Sequence, residues 1–365
     1  MIRWVALGCA LSLLPAPAQR RKKADVTQAL ELPKDLPAAV SGDTRRLVFR
    51  VTPLSAKGLL SQQIRDALKI VTHESGDEKV LQMRAFVAGS GDVRRVRDLV
   101  SEVFTDRKQP LPSLSLVQSG GLPLEGAQVV FEYIAEARKD VDPYGLAFIS
   151  SQSASAADPQ SPVAPLVAQS LASLGHALKA ADAAPPDVLR VTCFLSSLDN
   201  LAASRQAVAA AYPAAVADFI QTERAPANAL AACEAVARLT HDIGAPLRLV
   251  NGDAQPGGTG QSQIALIGSP HVVLTGTQVS FGYEEKDARL AFERLQHILE
   301  ESGASLRDAA FLHYYPLSPS IAAQVRKIGS EFFTPPNSPA SSMLQFESLP
   351  SMDAGFAMDA VAAKN

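Results

Sequence analysis

The hydrophobic and polar positions follow one pattern three times along the chain, and the middle copy shows it most clearly. Short apolar runs with strand-like alternation are interrupted by two longer stretches with helical spacing, the second capped by Asp199 and Asn200. In this copy the strand-like runs lie at 145–152, 187–195, 216–221 and 230–237, and the helical stretches at 167–178 and about 200–211. The order predicts a β–β–α–β–α–β–β unit, an α+β layer whose helices cover one face of a sheet.

The other two copies repeat this order. The third has strand-like runs at 272–278, 308–314, 343–347 and 356–362 with helices at 287–302 and 320–333, and the first has runs at 47–51, 80–88, 114–118 and 127–134 with helices at 60–71 and 92–104. The alignment is anchored by Phe86, Phe194 and Phe311 in the central strands and by Glu132, Glu234 and Asp359 in the last strands. The copies lie more than 100 residues apart, so we expect three small tandem domains at 44–140, 141–245 and 246–365. Residues 151–165 are expected to be a loop-like insertion, and 251–261 a glycine-rich linker.

The first 43 residues are predicted to lie outside these domains. Arg3, an apolar run at 4–14 and the small residues around Ala18 indicate a secretory signal peptide (1–18) cleaved after Ala18. A lipoprotein signal ending at Cys9 and a cytosolic chain with an apolar leader are the alternatives. Residues 19–43 are predicted to be a flexible polar arm, and their basic start at 20–23 is expected to be solvated rather than bound to acidic lipid. No other stretch approaches 18 apolar residues, so no membrane span is predicted, and we expect a secreted or periplasmic protein.

Composition and charge narrow the class of protein. The chain has 365 residues, of which 47% are hydrophobic, enough for folded cores. The net charge of −3 gives no basic surface for nucleic acid. The six histidines show no metal-ligand spacing, so neither a metal nor a cofactor is predicted. Two cysteines outside the leader, Cys193 and Cys233, are interpreted as buried small hydrophobic residues, with a disulfide as the alternative in an oxidising compartment.

Several of these segments resemble the RidA/YjgF family of imine and enamine deaminases, which has a chorismate-mutase-like fold. The family ends in a P-A-R segment, a Leu-Pro turn and a strand like V-E-I-E-A-I-A. The third copy has PASSMLQFESLP at 339–350 and FAMDAVA at 356–362, and the first has VFEYIA at 130–135. The opening strands VVLTGTQ (272–278) and AFISSQ (147–152), and the central strand VLRVTCFL (188–195), are also similar to the family. The resemblance covers nearly all of 44–365.

The resemblance implies how the copies assemble. Members of the family are homotrimers with a ligand cleft at each subunit boundary. Three copies in one chain are therefore expected to pack as an intramolecular pseudo-trimer, so that the chain is a monomer. The packing argument agrees, because a lone domain of about 100 residues covers the apolar face of its sheet poorly.

The resemblance also identifies which catalytic groups are missing. In the family the arginine of P-A-R binds the substrate carboxylate, and the first acid of V-E-I-E orients the attacking water. The arginine position is occupied here by Leu114, Ala215 and Ser341, and the acid position by Val130, Ala232 and Ala357. The acids that remain match the second acid of the motif, for which a structural role is favoured over catalysis.

These substitutions decide the predicted function. The residues expected to line the clefts are Glu132, Ser151, Arg224, Glu234, Thr275, Thr277, Tyr314 and Asp359, with no catalytic residue among them. We expect an exported RidA-like protein without the family's 2-imino acid deaminase chemistry, which binds a small molecule or a partner at inter-domain clefts. The alternative is a divergent deaminase-type hydrolase that anchors its substrate differently, for instance through Arg224.

Overall fold

The computed structural model describes residues 33–89, 91–250, 262–334 and 337–364. Within these ranges the chain forms six α-helices and sixteen strands in three sheets. The helices are α1 (Leu60–Glu74), α2 (Arg94–Asp106), α3 (Val163–Ala180), α4 (Leu201–Ala211), α5 (Glu285–Glu301) and α6 (Pro319–Phe332). The strands are β1 (Ala39–Asp43), β2 (Leu47–Val51), β3 (Lys79–Val87), β4 (Ser113–Gln118), β5 (Val129–Glu136), β6 (Leu146–Ala156), β7 (Val188–Leu195), β8 (Val216–Gln221), β9 (Ala229–Arg238), β10 (Leu247–Val250), β11 (Ile264–Ile267), β12 (His271–Thr275), β13 (Gln278–Phe281), β14 (Ala309–Pro316), β15 (Ala340–Met343) and β16 (Ala354–Lys364).

The three sheets share one four-stranded plan, which confirms the predicted α+β fold with three tandem units. The strand orders are β2-β5-β3-β4, β6-β9-β7-β8 and β12-β16-β14-β15. In each sheet the last pair is parallel and the other pairs are antiparallel. Two helices cover one face of each sheet, and each unit has its own apolar core between sheet and helices.

The units close into a ring, which is the predicted pseudo-trimer. The parallel edge strand of each unit contacts the opening strand of the next, so that β4 meets β12, β15 meets β6, and β8 meets β2. The N–H of Thr277 donates to the Leu114 carbonyl oxygen on the first of these seams, and the N–H of Ser151 donates to Oγ of Ser342 on the second. The sheet faces that carry no helices therefore turn toward a shared axis, where two further apolar clusters contain residues of all three units.

Two segments, β1 and the β10–β11 hairpin, pair with the sheet of a neighbouring unit. Strand β1 pairs with β12 of the third sheet, and β11 pairs with β6 of the second, with β10 on its outer edge. The predicted arm is thus too long, because residues 39–43 form β1. The residues of β1 show no hydrophobic strand pattern in the sequence. The strand is held instead by backbone hydrogen bonds to β12 and by a close approach at Gly42, where a Cβ would lie 2.3 Å from Leu81 Cδ1. The domain boundaries remain a prediction, and these pairings cross them.

Residues 151–165 are not the loop-like insertion that was predicted. Strand β6 continues to Ala156 and pairs with β9, and α3 begins at Val163. Serine and alanine alternate through the end of this strand, so the sequence lacks the apolar signal of a strand while its backbone still fits the sheet. The predicted signal peptide and the linker at 251–261 lie outside the described residues. No helix in the described ranges is long and apolar enough to cross a membrane.

Cys193 and Cys233 lie opposite each other in β7 and β9 and are joined by a disulfide. Both are fully buried beneath α3. The preferred interpretation of two separate thiols is therefore wrong and the alternative is correct. The sequence spacing could not decide between them, because the pairing depends on the register of two strands 40 residues apart.

Candidate functional site

Three layers of side chains fill the space around the shared axis. One end layer is apolar and includes Phe49, Phe148 and Phe311 from the three units. The other is also apolar and includes Phe86 and Phe194. Between them lies a layer of charged and hydroxyl-bearing side chains, which we call the polar layer. Both ends of the polar layer are therefore closed by hydrophobic packing.

The polar layer is built from equivalent positions of the three sheets. In each unit a central-strand residue stands opposite the retained acid and beside a residue of the parallel strand. The resulting triplets are Arg84, Glu132 and Ser115 in the first unit, Thr192, Glu234 and Asp218 in the second, and His313, Asp359 and Ser342 in the third. All nine side chains are buried. The positions are symmetric but their chemistry differs, so the contacts across the axis differ too.

Arg84 connects the first two units. Its Nε donates to Oε2 of Glu132 at 2.8 Å, and its Nη2 donates to Oε1 of Glu234 at 2.7 Å. The hydroxyl of Thr192 donates to the other oxygen of Glu132. Arg190 lies nearby on β7, with Nη1 3.6 Å from Oε2 of Glu132. One guanidinium thus holds carboxylates of two different units.

His313 connects the second and third units. Its Nε2 is 3.1 Å from Oε1 of Glu234, and its Nδ1 is 2.8 Å from Oδ1 of Asp359. Asp359 also accepts hydrogen bonds from the hydroxyls of Ser115 and Tyr315, at 2.6 and 2.8 Å. The acids predicted to line clefts are therefore brought together, but in a buried network that joins all three units.

The local charges set the protonation of this network. Burial disfavours the ionised form of Glu234, but Arg84 and His313 outweigh it and hold the pKa of Glu234 well below its usual value. For His313, burial and Arg84 oppose the cation, yet Glu234 and Asp359 raise its pKa. Burial, with a contribution from Glu132, raises the pKa of Asp218 to about 8. Glu234 and His313 are thus held as ions, while Asp218 is held neutral.

The positions that the resemblance aligns with the family's water-orienting acid and arginine are buried or half-buried. Val130, Ala232 and Ala357 are fully buried in the apolar layer next to the polar layer. There the rings of Phe86, Phe194 and Phe346 pack with centroids 5.9–6.0 Å apart. Of the arginine positions, Leu114 and Ser341 are buried and Ala215 is half-buried before β8.

The other predicted cleft-lining residues have different locations. Thr275 is buried and its Oγ1 accepts a hydrogen bond from the Ala360 N–H at 2.9 Å. Tyr314 packs under the helices of the third unit against Phe292. Ser151 and Thr277 lie half-buried on the seams between units. Neither Thr275 nor Tyr314 faces a cleft. Successive side chains of a strand point to opposite faces of the sheet, and these two lie on the face opposite to that of their chain neighbours.

A large groove lies in the second unit, and Arg224 is on its wall. Its volume is about 800 Å³, and it is formed by the start of α3, the loop between β7 and α4 and the loop between β8 and β9. Polar side chains on its wall include Ser197, Asp199 and Gln221. The Arg224 side chain is exposed, while its main-chain N–H is held by Oε1 of Glu347 from the third unit. We call this feature the Arg224 groove.

Sequence reasoning missed several members of the polar layer. Arg84 and Arg190 are not among the predicted site residues, although each is a charged residue inside a largely apolar strand, which is itself a sign of a paired buried charge. Among the described residues, no group of His, Cys, Asp and Glu side chains has the arrangement of a metal site.

Comparisons with known proteins give matches in fold alone. No protein-family model and no curated protein matches the chain. Similar solved structures include a YjgF-family protein from Mycobacterium tuberculosis (21% identity, 32% of this chain and 98% of that one, TM-score 0.24). A second is a Rid-family protein of unknown function from Yersinia pestis (19% identity, 33% of this chain and 99% of that one, TM-score 0.30). A third is the YjgF product of E. coli (21% identity, 26% of this chain and 81% of that one, TM-score 0.24). The YjgF/RidA family named for these structures is the one that the sequence motifs resemble, and each match spans up to about a third of the chain.

Proposed function

We propose that this protein is an exported, three-unit RidA-like protein that does not hydrolyse 2-imino acids and that binds a small anionic molecule in the Arg224 groove. The observation that carries the first part is the burial of Val130, Ala232 and Ala357 in an aromatic layer. A water-orienting acid contributes roughly 10²–10⁴ in rate, and a packed hydrocarbon layer offers neither the acid nor the water.

The composition of the Arg224 groove supports the second part. Among the described residues the Arg224 side chain has no ion pair, so its guanidinium is available to a carboxylate or phosphate. The contact of its backbone with Glu347 fixes the base of the side chain without using the charge. The helices α3 and α4 also begin at this groove, and their N-terminal N–H groups favour anions.

The buried disulfide supports export. Disulfides persist in oxidising compartments and are rare in reducing ones. Together with the signal-like pattern at 1–18, the Cys193–Cys233 bridge favours a secreted or periplasmic location. We further propose that the chain is a monomer, because its own three units supply every contact of the ring. Small-angle scattering should give the mass of one chain, and a trimeric mass would contradict this.

A second candidate, a divergent hydrolase, is favoured by one observation. Arg224 and Asp199 line the same groove, so an anion-binding cation and a carboxylate share one space. The test is hydrolysis of freshly generated 2-iminobutanoate by the purified protein, followed as ammonia release. We expect the buffer rate, and a clearly higher rate that is lost in Asp199→Asn would favour the hydrolase instead.

Binding is tested by calorimetric titration with inorganic phosphate and with succinate. Losing a charge-assisted hydrogen bond costs about 1.5–3 kcal/mol, so Arg224→Met should weaken binding by roughly 10–100-fold. The matched control is Arg205→Met, which removes an exposed arginine of α4 that does not line the groove. Absence of binding by the unaltered protein, or equal binding by both variants, would contradict the proposal.

A further inference from the structure

The packing of the polar layer leaves a small cavity on the axis. Its walls include Arg84, Glu132, Arg190, His313 and Asp359. The space open to the centre of a water molecule is about 10 Å³. A buried water requires roughly 10–15 Å³ by this measure, together with two to four polar partners. The cavity is therefore at the size of one water molecule and too small for a metabolite.

Two charged donors on these walls lack a partner. Nη1 of Arg84 and Nε of Arg190 are buried and have no hydrogen-bond partner among the described residues. Their side chains are only 5% and 7% exposed, so bulk solvent does not satisfy these groups. Buried polar groups in folded proteins are almost always paired, either with protein or with ordered water.

The charges around the cavity distinguish between a water molecule and an anion. The cations Arg84, Arg190 and His313 face the anions Glu132, Glu234 and Asp359. The layer is balanced as it stands, so an added anion would leave an uncompensated charge in a site without solvent. A water molecule adds no charge, accepts from the two arginines and donates to carboxylates that have lone pairs to spare.

We propose that the polar layer contains a specific site for one internal water molecule, which accepts hydrogen bonds from Arg84 Nη1 and Arg190 Nε and donates to the carboxylates of the cavity wall. The water thus completes the network that holds the three units together. Because apolar layers lie on both sides of this site, we expect its occupant to exchange slowly with solvent.

The test is high-resolution diffraction from crystals of the full chain soaked in sodium bromide. We expect one spherical oxygen peak about 2.7–3.1 Å from both nitrogen atoms, without anomalous signal. An anomalous bromide peak in the cavity would show an anion site, and an empty cavity would show that the donors stay unpaired. Either result overturns the proposal.

A variant supplies the second measurement. Val361 lines the cavity, so Val361→Ile should fill it and abolish the peak. The matched control is Val236→Ile, at a buried axial valine that does not line the cavity, which should keep the peak. Magnetic relaxation dispersion should count one long-lived internal water fewer in Val361→Ile than in the control. An unchanged count would place the water elsewhere and overturn the assignment.

Discussion

The polar layer and the Arg224 groove each contain an arginine, which is buried in the first region and exposed to solvent in the second. Arg84 is almost completely buried, and both acids it contacts belong to the closed network. Arg224 is exposed, and its fixed contact is made by its backbone. The comparison indicates that the surroundings of a guanidinium decide its role: sealed among acids it holds the units together, and open to solvent it is available to a ligand.

The energetic consequences of the two locations differ as much as their geometry. Removing one partner from a buried ion pair leaves an uncompensated charge, whereas an exposed charge remains solvated when its partner is lost. The polar layer should therefore respond to substitution through stability, and the Arg224 groove through affinity. The predictions that follow separate these responses, beginning with the largest.

Arg84→Met should be the most destabilising of these changes. It leaves Glu132 and Glu234 buried without their main cation, and breaking such a network costs about 3–5 kcal/mol. Urea unfolding of the full chain measures the loss. The matched control is Arg65→Met, which removes the surface pair with Glu102 and should cost no more than about 1 kcal/mol. Equal losses in the two variants would mean that the polar layer does not hold the ring together.

Removing the disulfide should have the next largest effect. The bridge closes a 40-residue separation between β7 and β9, which carry Thr192 and Glu234 of the polar layer. The Cys193→Ala, Cys233→Ala double variant should lose about 2–4 kcal/mol in urea unfolding. Phosphate affinity should change less than twofold, because the Arg224 groove does not contain the bridge. A large loss of affinity would instead show that the two regions are coupled.

The pH dependence of stability should identify Asp218. Its pKa is raised to about 8 by burial and by Glu132, so between about pH 5 and 8 it is protonated in the folded chain and ionised in the unfolded chain. Stability must therefore fall as pH rises through this window, by at most about 1.4 kcal/mol per pH unit from this group. Asp218→Asn should remove that slope. Parallel stability curves for the two proteins would show that Asp218 is ionised in the folded state.

The sequence could predict the three units, because they depend on local pattern. Alternation and helical spacing placed most elements within a few residues, and the motif positions of Val130, Ala232 and Ala357 followed from the alignment. For the retained acids, such as Glu132, the sequence also favours a structural role, which stays a prediction. What they contact could not be predicted, since Arg84 reaches Glu234 across 150 residues of sequence.

Strand β1 and the Arg224 groove could not be predicted from the sequence either, for physical reasons. Strand β1 is held by backbone hydrogen bonds and a close approach at Gly42, neither of which leaves a hydrophobic pattern. Tyr314 was expected in a cleft, but strand alternation puts His313 and Tyr315 at the axis instead. The Arg224 groove is formed by the start of α3 and two loops, whose positions depend on how the unit packs, although the sequence does single out Arg224 itself.

The smallest effect expected is that of Asp199→Asn, which tests whether the Arg224 groove selects anions. Asp199 lines the groove beside the start of α4 and accepts a hydrogen bond from the Ser197 hydroxyl at 2.8 Å. Its loss should cost less than about 1 kcal/mol of stability, because it removes one favourable charge near a helix N-terminus.

The same substitution removes the repulsion between this carboxylate and an anion bound in the groove. Phosphate should therefore bind about two- to threefold more tightly, which is a change of about 0.5 kcal/mol. Calorimetric titration measures this gain, and Asp106→Asn, which neutralises an exposed acid of α2 outside the groove, is the matched control. Weaker binding in Asp199→Asn would show that the carboxylate attracts the ligand, and the groove would then be specific for a cationic or hydroxyl-bearing molecule rather than for an anion.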